Sequence, residues 1–249
     1  MNHDVSQHFS AGLSTLVIAY VVAVIGSLIG LACMARARAE RHRAARVRWT
    51  VFGAFAIGGI AIWLMHFIAM LGFEVPDATI KYSAPLTALS AVVAIGVVGA
   101  GLSLVTLVRF TRMRLVLAGF LTGLGVAGMH YLGMSAIRFK GEISYDPALV
   151  AASGVIAVVA ATAAFWFTLV VRTPAAGVAA GLTMGVAVTG MHYTGMAAVR
   201  VTHHEKMVAP DGTTVFDLVF PVFVISGLVV AALLWVLFTT GDEAVGEPA

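Results

Sequence analysis

Long apolar stretches alternate with short polar ones along the whole chain. Seven stretches, at about 13–35, 50–73, 84–108, 115–137, 148–171, 175–199 and 218–239, contain no Asp, Glu, Lys or Arg. A helix needs roughly 20 apolar residues to cross a bilayer, so each stretch is long enough to span. The pattern predicts an all-α polytopic membrane protein of about seven transmembrane helices. The first stretch is too long for the apolar region of a cleaved signal, and no Lys or Arg precedes it. It reads as a helix that stays. Pro76, Pro85, Pro147 and Pro174 fall at loop or span edges, where proline costs least.

The stretches repeat. Gly119 to Arg138 aligns without a gap on Gly181 to Arg200, so that Gly128-Met-His-Tyr-Leu-Gly-Met134 matches Gly190-Met-His-Tyr-Thr-Gly-Met196. A looser copy runs Leu64-Met-His-Phe-Ile-Ala-Met70. His66, His130 and His192 are 64 and 62 residues apart, an interval that holds two spans and two loops. The fold therefore reads as three two-helix repeats plus a final helix, with all three motifs pointing the same way. Residues 1–239 form the membrane domain, with motif repeats around 50–73, 115–137 and 175–199, and 240–249 form a short acidic cytoplasmic tail. The pairs Gly26/Gly30, Gly119/Gly123 and Gly181/Gly185 mark close helix packing.

Composition and charge agree with this reading. The chain is 60% hydrophobic and 11% charged, too little charge for a water-soluble domain. Arg36, Arg38, Arg41, Arg43, Arg46, Arg48, Arg109, Arg112, Arg114 and Arg172 collect on one side, against Lys81, Arg138, Lys140, Arg200 and Lys206 on the other. The excess of basic residues marks the cytoplasmic side, so the N-terminus is expected outside and the C-terminus inside a bacterial inner membrane. The Arg36–Arg48 run is a hinge between two spans that can touch anionic lipid heads; it does not read as a nucleic-acid site. Cys33 stands alone, so no intramolecular disulfide or Cys-x-x-Cys metal site exists.

The candidate chemistry lies in the motifs, at the outer ends of spans 2, 4 and 6. On an ideal helix His66 lies about 100° and Met70 about 140° from Met65, which flanks the imidazole with two thioethers. The same holds for Met129, His130 and Met134, and for Met191, His192 and Met196. Imidazole with thioether suits a soft ion, and copper(I) is the natural candidate. Hard ions want oxygen donors, and the spans contain no carboxylate. The plainer alternative is histidine hydrogen-bonding between helices, with methionine as packing. Gly133 and Gly195 lie about 40° from the first methionine of their motifs, leaving room for a neighbouring helix or a small molecule. The first repeat has Phe67 and Ala69 instead, so His66 is expected to contribute less than His130 and His192. His203, His204 and Met207 in the last outer loop, and His3 in a Met-Asn-His N-terminus, are secondary metal-binding candidates.

Met65-His-Phe-Ile-Ala-Met70, Met129-His-Tyr-Leu-Gly-Met134 and Met191-His-Tyr-Thr-Gly-Met196 resemble the repeats of the MHYT family, over nearly the whole chain. The resemblance implies a bacterial membrane sensor domain that binds copper at the outer face through these Met, His and Tyr residues, to sense oxygen, carbon monoxide or nitric oxide. Many relatives carry cytoplasmic cyclic-dinucleotide enzyme or kinase domains, and a separate signalling partner is expected here. The rivals are haem binding through facing histidines and copper handling or transport. An enzyme is not expected, because no Ser/His/Asp set or membrane carboxylate pair is present. No span carries the lysine that a retinal Schiff base needs.

Overall fold

A computed structural model describes residues 12–75, 78–203 and 211–242. His3, His204, Lys206 and Met207 lie outside the described residues, as does the tail beyond 242. Among the described residues, seven helices are long and apolar enough to cross a membrane: Leu13–Ala39, Arg43–Met70, Ala84–Thr106, Arg112–Met134, Pro147–Val170, Pro174–Ala197 and Val215–Thr240. Each expected span is matched. Helix α1 covers Gly12–Ala39. The second span is α2 (Arg43–Ala54), a π-helical segment (Phe55–Leu64) and α3 (Met65–Met70). Then follow α4 (Ala84–Thr106), α5 (Arg112–Met134), α6 (Pro147–Val170), α7 (Pro174–Ala197) and α8 (Val215–Asp242). Helices dominate because a bilayer offers no water to backbone groups, which must pair within the chain.

Local signals set the ends. Thr111 and Thr173 accept hydrogen bonds from the N–H groups of Arg114 and Ala176, and Asp146 accepts from Ala148 and Leu149. Proline opens α6 and α7, where its missing donor is not needed. At the arginine-rich end, side chains of the α1–α2 hairpin reach the last carbonyls of three helices. Arg46 donates to Thr106 of α4, Arg38 to Thr168 and Val171 at the end of α6, and Arg36 to Leu237 and Thr240 of α8. Part of the arginine run thus serves as helix C-caps.

Two features go beyond the sequence pattern. The first is the ten-residue π-helical stretch immediately before Met65. Its i→i+5 bonds keep the backbone paired while the helix widens. Close approaches bracket it: a β-carbon on Gly26 of α1 would overlap Ala61, and one on Gly58 would sit 2.8 Å from the Ala94 carbonyl oxygen of α4. The second is a set of short strands at the motif end. β1 (Lys81–Tyr82) pairs antiparallel with β2 (Ile137–Arg138), and β3 (Gly141–Tyr145) with β4 (Val199–His203). A bridge joins Tyr82 to Thr213. The chain leaving each motif span is therefore tied to the others, closing a ring around one axis. The fold remains predominantly helical.

The threefold plan closes through α1. Gly119 and Gly123 of α5 press on Thr162 and Val158 of α6, the helix that follows. Their equivalents in α7, Gly181 and Gly185, press instead on Leu28 and Val24 of α1. Helix α1 thus stands beside α7 as α6 stands beside α5, and completes the ring of three helix pairs. Helix α8 lies outside, against the π-helical segment and α1, with Phe216, Phe220, Leu228, Trp235 and Phe238 exposed toward the lipid.

Candidate metal centre

Each motif histidine sits about one turn from the C-terminal end of its helix, four or five residues before the last. All nine motif residues are buried: His66, His130 and His192, the leading Met65, Met129 and Met191, and the trailing Met70, Met134 and Met196. The three histidines meet on the axis. His66 Nδ1 lies 3.0 Å from His192 Nδ1 and 3.2 Å from His130 Nδ1. One ring nitrogen from each falls within 4.8 Å of both others. The rings pack edge to face with centroids 5.0–5.1 Å apart. His66 is the common neighbour of the other two, so the geometry gives no ground for ranking it below them.

The Nε2 edges of the rings explain the motif glycines. A β-carbon on Gly133 would collide with Nε2 of His66, and one on Gly195 would collide with Nε2 of His130. Each glycine cradles the imidazole of the preceding repeat, so the room expected there is filled by histidine. All three Nε2 atoms are buried without a hydrogen-bond partner among the described residues.

The methionines divide into two sets. Met70, Met134 and Met196 share one apolar cluster with Phe73, Tyr82, Ile137 and Val199, on the strand side of the imidazole layer. Met65 packs with Ile60, Leu64 and Ile68, and Met129 and Met191 belong to the central core with Val98 and Val126. An open cavity of about 790 Å³ at the strand end reaches down to Met134, between Tyr82, Pro85, Arg138 and Tyr145. Burial pushes the hydroxyls of Tyr82 and Tyr145 up to about 12, so both stay neutral.

The tyrosines after the histidines point away from the axis. Tyr131 packs edge-on to His130 at 4.8 Å, while its hydroxyl lies 2.8 Å from Ser153 Oγ on α6. Tyr193 packs edge-on to His192 at 5.0 Å, and its hydroxyl pairs with Thr15 on α1. In the first repeat Phe67 stacks on Trp63 at 5.7 Å, and Trp63 Nε1 donates to Ser90 Oγ of α4 at 2.9 Å. Sequence reasoning singled out none of Trp63, Ser90, Ser153 and Thr15. A signal for two of them was present: Ser90 and Ser153 each lie seven residues after the residues that precede α4 and α6, Ser83 and Asp146.

Threefold helical repeats, a bilayer-spanning exterior and a buried histidine triad define a polytopic membrane protein with a potential metal centre. The profile described as "Bacterial signalling protein N terminal repeat", MHYT, matches residues 59–118, 123–181 and 185–244. The chain belongs to the MHYT family. It is 39% identical over 185 residues to the bifunctional diguanylate cyclase/cyclic di-GMP phosphodiesterase MucR of Pseudomonas aeruginosa, covering 72% of this chain and 27% of that protein. Similarity to the cyclic di-GMP phosphodiesterase NbdA of the same organism is 36% over 157 residues, covering 61% and 20%. For the signalling protein YkoW of Bacillus subtilis it is 29% over 215 residues, covering 83% and 26%. The chain thus spans only 20–27% of the length of these relatives. No solved structure matches it.

Proposed function

We propose that this chain is a membrane sensory domain that holds one soft metal ion, copper(I), between Nδ1 of His66, His130 and His192. The approach of His130 Nδ1 and His192 Nδ1 to one atom, His66 Nδ1, carries the reading. His66 Nδ1 faces two other Nδ1 atoms at 3.0 and 3.2 Å. Three neutral imidazoles cannot satisfy that arrangement: a ring nitrogen is either one donor or one acceptor, and His66 Nδ1 can serve only one neighbour well. A cation at the centre relieves the opposed lone pairs. Nitrogens bound to one ion at about 2.0–2.1 Å sit roughly 3.3–3.5 Å apart, close to the observed spacing. Imidazole beside thioether, without a carboxylate, favours copper(I) over harder ions. Met70, Met134 and Met196 are the candidate additional ligands, being the set that shares one cluster.

The metal would supply the affinity for a small ligand such as a diatomic gas, or a response to redox state. The cavity above Met134 offers an approach from the outer side. MucR and NbdA are named for cyclic di-GMP enzymes. On that analogy, occupancy of the centre would be read by a signalling domain or a separate partner on the cytoplasmic side. Haem gains less support, because rings packed at 5.0–5.1 Å leave no space for a macrocycle between them.

Metal analysis of protein purified from membranes tests the proposal. Wild type should carry copper at one per chain, and His66→Ala, His130→Ala and His192→Ala should each lose it while remaining folded. Wild type that takes up no copper under reducing conditions, or folded variants that keep it, would refute the metal reading.

A further inference from the structure

The three motif helices share a polar anchor outside the histidine triad, built from different residues in each repeat. In the second repeat the chain of hydrogen bonds runs from Tyr131 through Ser153 to a backbone carbonyl. Ser153 Oγ donates to the Val150 carbonyl at 2.8 Å, so the Tyr131 hydroxyl is the donor to Ser153. In the first repeat Ser90 Oγ donates to the Thr87 carbonyl at 2.7 Å and accepts from Trp63 Nε1. Both serines back-bond three residues along their helix, so each hydroxyl oxygen is left to accept from an aromatic donor. Phe67 cannot be one. Trp63, four residues earlier on the same helix, stacks on Phe67 and supplies the N–H instead. In the third repeat Tyr193 finds its partner in Thr15 of α1, the helix that closes the ring beside α7.

We propose that Trp63–Ser90, Tyr131–Ser153 and Tyr193–Thr15 form an outer ring of anchoring pairs, and that the two tyrosine pairs orient the imidazoles of His130 and His192. Hydroxyl and indole donors in the apolar interior need partners, so each pair fixes an aromatic ring in one place. The fixed rings of Tyr131 and Tyr193 wall the sides of His130 and His192, at 4.8 and 5.0 Å. Gly133 and Gly195 receive the Nε2 edges of His66 and His130. At His130 wall and cradle act together and leave Nδ1 facing His66. The tyrosines act on the site through the histidines and are not ligands, because their hydroxyls are committed to the neighbouring helix.

The affinity readout rests on the metal proposal; the orientation readout does not. Tyr131→Phe, Ser153→Ala and the double variant should each bind copper(I) about tenfold more weakly than wild type, as loss of a ligand-orienting partner does elsewhere. The double variant should be no weaker than either single one, since both break one link. Ser153→Thr should restore wild-type affinity. In metal-free protein labelled with ¹⁵N-histidine, the same variants should split or broaden the ring signals of His130 and leave those of His192 sharp. If wild type binds no copper, the metal reading falls and the ring signals alone decide the positioning. Unchanged His130 signals in folded Tyr131→Phe and Ser153→Ala protein would overturn the positioning proposal.

Discussion

Gly133 of α5 lies so close to the Nε2 edge of His66 that no β-carbon fits between them. The same relation joins Gly195 to His130. Gly133→Ala and Gly195→Ala should therefore displace an imidazole and destabilise the protein by about 1–3 kcal/mol, the usual cost of overpacking. A β-carbon on Gly128 or Gly190, in the same motifs, would meet nothing within 4 Å, and alanine there should be neutral. Cys33 is the sole cysteine and is buried, so thermal unfolding followed with a thiol-reactive dye measures all four variants. Equal melting of the four would refute the cradle.

The trailing methionines allow a test that spares the fold. Met134 and Met196 are 0% and 1% exposed in a shared apolar cluster. Leucine keeps volume and apolarity, at a cost of less than about 1.5 kcal/mol. Met134→Leu and Met196→Leu should lower copper(I) affinity and leave the melting temperature nearly unchanged. Unaltered copper affinity in both would assign the thioethers to packing alone.

Acid should act on the β3–β4 ribbon through one ion pair. Arg200 holds Asp146 at 2.7 Å, and its hydrogen bond, followed by those from the N–H groups of Leu149 and Ala148, keeps the Asp146 carboxyl below its usual range. A depressed carboxylate contributes stability above its unfolded value, near about 3.9, and loses it as pH falls through the folded value. The contribution of this pair should thus be constant with pH around neutrality and decline only below about pH 4. Asp146→Asn retains the helix cap and should flatten that acid limb in melting measurements across pH.

Orientation can be read by labelling from outside with a membrane-impermeant maleimide. Glu142→Cys, on β3 at the motif end, should react in intact cells. Arg41→Cys, between α1 and α2 at the arginine-rich end, should react only after lysis. The reverse pattern would place the histidine triad at the cytoplasmic face.

Much of the molecule was legible locally. Seven spans followed from apolar run length, and the repeat from Gly119–Arg138 matching Gly181–Arg200. The strand ties were not legible, because β1 and β2 are two residues each and owe their pairing to the meeting of distant loops. Nor was the anchoring of Trp63, since a tryptophan in an apolar run looks the same whether it faces lipid or a serine.

The sequence by itself determined the spans, their repetition and the residues available as ligands. These depend on short-range quantities: hydrophobic length against bilayer thickness, and the helical period that sets neighbours on one face. Tertiary structure decided that His130 and His192 both turn Nδ1 toward Nδ1 of His66, and that Gly133 and Gly195 take the Nε2 edges of His66 and His130. It also placed α1, rather than α8, against Gly181 and Gly185. Such choices depend on which surfaces of distant segments fit together, and close packing of side chains is not encoded in the period of any single helix.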